Sequence, residues 1–200
     1  MNFAGLLRKR RNVYGFLKMP VPEEVLRRVI ENAIHVPSAG FTQDFGLVVV
    51  RDGQMKRKLA EAAYEDEYVK TRRAQPRFIT DAPVIIVPCG NKSRFEAKYG
   101  KPAEKNARLP WWLIDAGFAS LALILSAYDE GLVASFLGAI DDAKVMQALG
   151  LPADNSVVPL AVIPLGLEDS QEAAEWHAKG RAEASDRRKR FVEFVHWDRW

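Results

Sequence analysis

Residues 111 to 128 carry the sequence WWLIDAGFASLALILSAY, an apolar stretch long enough for about five turns of helix. Asp115, Gly117, Ser120 and Ser126 interrupt it, and charged segments flank it on both sides. A membrane-spanning helix needs ~20 apolar residues and few charges. The pattern is more typical of a helix buried at the centre of a domain or of a dimer. We therefore interpret residues 111–128 as a central buried helix and expect no contact with a membrane.

Helical and extended segments alternate on both sides of this helix. From Glu23 to His35 apolar residues recur at helical spacing, and Pro22 suits the start of that helix. The short apolar runs Leu47–Val50 and Ala82–Pro88 predict buried strands. This alternation indicates a layered α/β or α+β fold. The other predicted elements are helices over 3–11, 54–75 and 141–149, the last with Asp141 as N-cap, and strands over 132–138 and 157–165.

The composition is that of an ordinary globular protein. The chain has 200 residues, of which 48% are hydrophobic and 28% charged, enough for one well-buried core. We expect a single domain over residues 1–200. Its net charge of +3 does not indicate a nucleic-acid-binding protein. A single cysteine, Cys89, and an N-terminus without the layout of a signal peptide fit a cytoplasmic protein.

The sequence carries none of the common motifs of protein-based catalysis. Glycine-rich phosphate loops and a Gly-x-Ser-x-Gly elbow are absent, and Ser38 precedes no obvious base. The histidines are isolated from one another and Cys89 has no partner at ligand spacing, so we expect no metal site. Binding groups without a protein nucleophile suit a cofactor that carries the reaction itself.

Three segments point to the kind of cofactor. Residues 37–43 form a small, polar, turn-rich loop between a helix and a strand, and we call them the ligand loop. Basic clusters lie at residues 8–11 and 187–190, which suggests a phosphorylated ligand. The polar, lysine-rich connection 91–109 shows no clear period, and its length makes it a candidate lid.

Eight short segments occur in a familiar order and cover nearly the whole chain. They are RRNVYGF (10–16), VPEEVL (21–26), VPSAGFTQ (36–43), DAG (115–117), GLVASFLG (131–138), ALGLP (148–152), PLG (164–166) and RKRFVEFVHW (188–197). In order and spacing they resemble the FMN-dependent nitroreductase family.

The resemblance implies an α+β fold in which a central mixed β-sheet is flanked by helices. It further implies an intertwined homodimer with two FMN sites at its interface. Residues 187–200 are expected to form a C-terminal arm that wraps across the partner. The expected partners are a second copy and a small-molecule substrate, without nucleic acid.

The resemblance also assigns residues to the cofactor. Basic segments near both ends would grip the FMN phosphate, since guanidinium groups suit a phosphate dianion. The ligand loop would follow the ribityl chain and ring, and residues 137–139 would cover the ring. The residues so assigned are Arg10, Arg11, Asn12, Tyr14, Pro37, Ser38, Ala39, Gly40, Gln43, Leu137, Gly138, Ala139, Arg188 and Lys189, with Arg187 an alternative in the second basic cluster.

Aromatic residues near these segments are candidates for substrate binding. Phe41, Trp111 and Trp112 would line the pocket of the electron acceptor by stacking on flat substrates. The alternative for each of them is a position in the core.

The chain departs from the family at several positions. Family members commonly carry a hydroxyl group at the position of Asn12, a basic residue at Tyr14, Asn at Phe41, and Pro-Trp at Asp44–Phe45. A positive group near the flavin pyrimidine stabilises the reduced anion. The source of that charge is therefore open in this chain.

The resulting hypothesis is a flavin oxidoreductase that takes hydride from NADH or NADPH and reduces a small nitroaromatic or quinone-type acceptor. One shared site implies ping-pong kinetics. The alternatives on the same scaffold are a flavin-dependent dehalogenase, a dehydrogenase and a flavin-fragmenting enzyme. Outside enzymes, the chain could bind flavin without turnover, or bind anionic partners through its basic clusters.

Overall fold

The computed structural model of the chain describes residues 2–72, 77–101, 108–169 and 188–200. Two compact units are present, Met1–Glu168 and Asp169–Trp200. The first contains the sheet and the helices. In the second, Phe191–Glu193 form a 3₁₀ turn in which the Arg190 N–H donates to the Glu193 carboxylate at 2.8 Å. The single domain over 1–200 stays a prediction.

The first unit alternates helices with strands, as the sequence predicts. Its helices are α1 (Phe3–Lys9), α2 (Glu23–Ile34), α3 (Gly53–Ala62), α4 (Glu65–Arg72), α5 (Phe78–Asp81), α6 (Lys92–Tyr99), α7 (Trp111–Asp129) and α8 (Asp142–Leu149). Its strands are β1 (Phe45–Val50), β2 (Val84–Asn91), β3 (Val133–Ala134), β4 (Val157–Pro159) and β5 (Ile163–Gly166).

The strands form one sheet in the order β1-β2-β5-β3, and β4 also pairs with β2. Every pairing in the described ranges is antiparallel, whereas the resemblance implied a mixed sheet. The connection from β1 to β2 shows the reason. The connection leaves β1 at Val50 and enters β2 beside Ile85, the residue that pairs with Val50. It therefore begins and ends at the same end of the strand pair, so the two strands run in opposite directions.

Helix α7 packs against α2, β1, β2 and β3 and is the central helix that its sequence predicts. Its length and composition would allow it to cross a membrane, yet more than half of that stretch is buried inside the fold. Asn32 of α2 donates to the Ser126 hydroxyl at 2.9 Å, and Arg28 pairs with Glu130 at 2.7 Å. On the opposite side Phe118 and Leu121 are 45% and 46% exposed, so an apolar strip of α7 remains uncovered in one protomer.

Helix α2 and the capping of α8 confirm two predictions made from local chemistry. In α2 the buried residues Leu26, Val29 and Ala33 recur at helical spacing. Helix α8 begins after Asp141, whose carboxylate accepts the Lys144 N–H at 3.1 Å.

Two predicted elements are divided in the structure. The helix predicted over 54–75 is α3 followed by α4, with Tyr64 between them at φ 54°, a left-handed conformation that no helix continues through; residues 73–75 lie outside the described residues. The strand predicted over 157–165 is β4 and β5. Its register against β2 shifts by one residue between the pairs Cys89↔Pro159 and Ile86↔Ile163, which is the signature of a β-bulge.

Candidate active site

The ligand loop, residues 37–43, has a strained backbone. Gly40, Phe41 and Gln43 adopt φ angles of 53°, 59° and 49°. A left-handed conformation costs a residue other than glycine about 1–3 kcal/mol, and such strain persists where the surroundings over-determine the chain. Internal bonds contribute to that, because the Ser38 hydroxyl accepts the Gln43 N–H at 2.9 Å and the Thr42 hydroxyl donates to the Ala39 carbonyl at 2.9 Å.

Helix α6 holds the outer side of this loop. Arg94 donates to the Gln43 carbonyl at 2.5 Å, and Lys98 donates to the Gly40 carbonyl. The Tyr99 hydroxyl lies so close to Gly40 that a Cβ there would stand 1.6 Å from it, so position 40 requires glycine for space as well as for its positive φ. The candidate lid 91–109 thus begins with a helix that is bonded to the ligand loop; residues 102–107 lie outside the described residues.

The aromatic candidates for substrate binding separate into two kinds. Trp112 is only 9% exposed and packs on Phe95, with the ring centroids 5.5 Å apart, so the structure places it in a second small core. Trp111 is half-buried against the same core. Phe41 is 79% exposed on the ligand loop. Phe41 is therefore the candidate with a free ring face to offer a flat ligand.

The first basic segment lies at the other end of α7. The Tyr128 hydroxyl donates to the Arg11 carbonyl at 2.9 Å and accepts the Arg11 N–H at 3.2 Å. The guanidinium of Arg11 donates through Nη2 to both carboxylate oxygens of Glu168, at 2.8 and 2.7 Å. Its Nη1 is buried without a hydrogen-bond partner in the part of the chain that the structure describes. Arg11 therefore forms an internal ion pair through Nη2, and its Nη1 remains an unused donor.

Arg10 ends α1 and has no hydrogen bond or ion pair through its side chain within the described ranges. Tyr128 beside it is largely buried, and that burial raises the pKa of its phenol, against the lowering effect of its bond to Arg11. This end of α7 therefore combines one unpaired arginine with one unused guanidinium N–H.

Asn12 contacts the segment that leads to residues 137–139. Its side chain accepts the Phe136 N–H at 3.1 Å and donates to the Phe136 carbonyl at 3.4 Å. Leu137 then forms a β-bridge with Val162 and is fully buried, whereas Gly138 and Ala139 are exposed. The structure gives Asn12 a role in fixing this turn, and it leaves Gly138 and Ala139 accessible to a ligand.

Ser135 fixes the position of the basic segment, and sequence reasoning did not single it out. It lies fully buried beside Val13, and its hydroxyl bonds to both backbone groups of that residue. Together with Asn12 it joins the basic segment to the 135–139 turn. The only signal that the sequence gives for Ser135 is its position as a small residue within an apolar run.

Tyr14 packs in an aromatic cluster and carries no charge to this region. Its ring stacks on Tyr68 with centroids 5.9 Å apart and meets Phe78 edge-on at 5.4 Å. Arg188 and Lys189 are exposed in the second unit, and Arg187 lies outside the described residues. The contacts predicted for these three basic residues with a phosphate stay predictions.

Two acidic residues lie behind the ligand loop. Asp115 of α7 accepts the Ala39 N–H at 2.7 Å, and Asp44 follows the loop directly. Both side chains are buried, with relative exposures of 1% and 0%. Cys89 of β2 is also buried, and it is inert because burial raises the pKa of its thiol to about 12.

The two halves of the predicted site lie at opposite ends of α7. The ligand loop is bonded to Asp115, and the basic segment is bonded to Tyr128. At ~1.5 Å rise per residue, these two positions are about 20 Å apart along the helix. One protomer therefore does not bring the predicted residues together in one place.

Comparisons with known proteins agree with this architecture. The profile of the nitroreductase family matches residues 7–167. An NADH dehydrogenase of Thermus thermophilus is 32% identical over 79% of this chain and 82% of its own. Iodotyrosine deiodinase 1 of mouse is 39% identical over 82% of this chain and 61% of its own. The NADPH:FMN oxidoreductase of Vibrio harveyi, solved in complex with NAD+, is 19% identical, with a TM-score of 0.74 over 98% of this chain and 77% of its own.

The family profile covers the ligand loop, the basic segment at Arg10 and Arg11, helix α7 and the turn at residues 137–139. The structural likeness covers nearly the whole of this chain. On these matches, the chain belongs to the nitroreductase family.

Proposed function

We propose that the chain is an FMN-dependent oxidoreductase that takes hydride from NADH or NADPH and reduces a small, flat acceptor of the nitroaromatic or quinone type. Family membership and the names of an NADH dehydrogenase and an NADPH:FMN oxidoreductase among its relatives support this class of reaction.

The basic end of α7 fits the phosphate of FMN. Arg10 has no side-chain partner within the described ranges, and Arg11 has a buried Nη1 without an acceptor. A buried unsatisfied donor costs about 1–3 kcal/mol, which a phosphate oxygen would recover through a charge-assisted hydrogen bond. These two residues would hold the phosphate.

The ligand loop fits the other part of the cofactor. The Ser38 hydroxyl already accepts one internal hydrogen bond and retains its own O–H to donate to a ligand. The exposed ring of Phe41 offers a stacking surface for a flat acceptor. Bound there, FMN supplies the hydride exchange, and the residues of the chain orient both substrates and limit the access of water.

The proposal rests on the separation of the ligand loop from the basic segment along α7. Of the two uncovered residues, Leu121 lies midway between Asp115 and Tyr128, and Phe118 lies one turn nearer to Asp115. A two-fold axis at that point would place the ligand loop of one protomer beside the basic segment of the other. It would also cover the apolar strip of α7. We therefore propose a homodimer with two sites, each completed by residues of both protomers.

Both substrates would use the same open side of the flavin, so the donor must leave before the acceptor binds. Ping-pong kinetics follow from that arrangement. Tyr14 stands in an aromatic cluster, so it adds no cation to stabilise the reduced anion. The reduction potential is therefore expected to be lower than in family members with a basic residue at this position.

The test is anaerobic mixing of the purified, yellow protein with NADH and, separately, with NADPH. Loss of the flavin absorbance, followed by its return when a nitroaromatic compound or a quinone is added, supports the proposal. A colourless protein contradicts the proposal. A yellow protein that neither donor bleaches also contradicts it and favours flavin binding without turnover.

A second candidate function is reductive dehalogenation, and the identity of 39% with mouse iodotyrosine deiodinase 1 favours it. The same reduced protein distinguishes the two candidates. Release of iodide from 3-iodotyrosine, at a rate above that of reoxidation by a quinone, would assign the chain to dehalogenation.

A further inference from the structure

Asp44 carries a fully buried carboxyl group. Neither of its side-chain oxygens meets a donor among the residues that the structure describes. Its backbone carbonyl accepts the Asn91 N–H at 2.7 Å, which fixes the residue between the start of β1 and the end of β2. The side chain therefore stays inside, where an unpaired carboxylate is strongly disfavoured.

Asp115 faces this carboxyl group from α7. Its burial and its hydrogen-bonding contact with Asp44 raise its pKa to about 6, against the lowering effect of the Ala39 N–H that it accepts. Two ionised carboxylates are both acceptors and repel each other. A hydrogen bond between them requires a proton on one of the two.

The charged groups around the pair are engaged elsewhere. From α6, Arg94 and Lys98 donate to the carbonyls of Gln43 and Gly40, on the outer side of the ligand loop, and the Tyr99 hydroxyl lies against Gly40. From β2, the backbone of Asn91 binds the Asp44 carbonyl. Within the described ranges no hydrogen bond or ion pair joins a cation to either carboxyl group, so a proton is what remains to neutralise the pair.

We propose that Asp44 and Asp115 hold one proton between them, and that this shared proton positions the ligand loop. With the proton in place, one carboxyl group donates to the other, and Asp115 still accepts the Ala39 N–H at 2.7 Å. Without the proton, the two buried carboxylates repel each other. This repulsion displaces the hydrogen bond from the Ala39 N–H to the Asp115 carboxylate.

The direction of the pH dependence follows from this arrangement. A carboxyl group has a pKa of ~3.9 in the unfolded chain, and in the folded chain that of Asp115 is raised to about 6. The folded chain therefore holds the proton more tightly than the unfolded one. The stabilisation is fully present below the unfolded pKa and is lost as the pH rises through about 6.

The pair can be tested on the flavin-free protein by carboxyl ¹³C NMR and by melting curves between about pH 5 and pH 8. The variants are Asp44→Asn and Asp115→Asn, since an amide N–H would replace the shared proton at every pH. Asp142→Asn is the matched control, because Asp142 is exposed on α8. We expect the wild-type and control proteins to lose melting temperature as the pH rises, and the two pair variants to keep it.

The effect on the cofactor rests on the proposed function. Because the second ionisation of the FMN phosphate falls in the same pH range, the wild type is compared with Asp44→Asn at each pH. Relative to Asp44→Asn, the wild-type dissociation constant of FMN should rise about tenfold over this range, the factor that corresponds to one pKa unit of coupling. Ordinary titration of both carboxyl groups in the folded wild type would overturn the pair, as would an unchanged pH dependence in Asp44→Asn. A protein that binds no FMN at any pH, yet shows the shared titration, would refute the proposed function and support the pair.

Discussion

The Ser135 hydroxyl bonds to both backbone groups of Val13, donating to its carbonyl at 2.5 Å and accepting its N–H at 2.7 Å. Both residues are fully buried. One side chain thus replaces the two bonds of a β-ladder at the point where the basic segment passes the 135–139 turn. If the hydroxyl were removed, a water molecule could bind these two backbone groups only by entering the core.

The first prediction concerns this contact. Ser135→Ala leaves a buried N–H and a buried carbonyl unpaired, so we expect a loss of about 2–4 kcal/mol in the free energy of unfolding, measured in urea. Ser120→Ala is the control. Ser120 is 1% exposed, and its hydroxyl donates to the Ala116 carbonyl one turn away in the same helix, so its loss should change stability by about 0.5 kcal/mol or less. Equal losses in the two variants would contradict the prediction.

The second prediction concerns Gly40 and Tyr99. A Cβ at position 40 would stand 1.6 Å from the Tyr99 hydroxyl and would also meet a φ of 53°. Gly40→Ala should therefore displace α6 from the ligand loop and weaken FMN binding by about tenfold or more, a change of ~1.4 kcal/mol. Tyr99→Ala in the same chain should restore part of that loss, because it removes the clash and leaves the backbone strain. Additive effects in the double variant would show that the clash is absent.

A third prediction separates phosphate binding from stability. Arg10→Ala should raise the dissociation constant of FMN by the equivalent of about 1.5–3 kcal/mol, the value of a hydrogen bond to a charged group, while the melting temperature of the flavin-free protein stays unchanged. Arg8→Ala removes an exposed arginine two residues earlier, in the last turn of α1, and is the matched control. Wild-type FMN affinity in Arg10→Ala would remove Arg10 from the site.

The fourth prediction tests the two-fold arrangement. Leu121→Glu places a charge on the uncovered strip of α7, so sedimentation should show a monomer, and the flavin should be lost in the same step because each site needs both protomers. Met19→Glu, at a residue that is 55% exposed, should leave both properties intact. A flavin-loaded monomer of Leu121→Glu would contradict the shared site.

The sequence predicted the elements whose pattern is local. Helix α2 shows buried residues at helical spacing, and α7 is apolar over most of its length, so both were found within a few residues of their ends. Helix α6 was missed inside the polar connection 91–109, because Phe95 is its only buried side chain and a single apolar residue gives no period.

The candidate site was harder to predict from the sequence than the helices were. Composition indicates that Arg10, Arg11 and Asn12 are able to bind a phosphate, but tertiary packing decides which groups are still available. Glu168, which is distant in sequence, occupies part of Arg11, and the backbone of Phe136 occupies Asn12. No sequence pattern indicated that Asp44 is buried, because its burial depends on α7 and β2 together.

The burial of Cys89 has a practical consequence for studying this protein. It is the single cysteine of the chain, and a thiol with a pKa of about 12 is almost entirely protonated at neutral pH. Thiol reagents will therefore leave the native protein unlabelled. A cysteine introduced at an exposed position away from the proposed interface, such as Met19, would take up a spin label or a fluorophore alone, and distances between two copies could be measured without first removing a native residue.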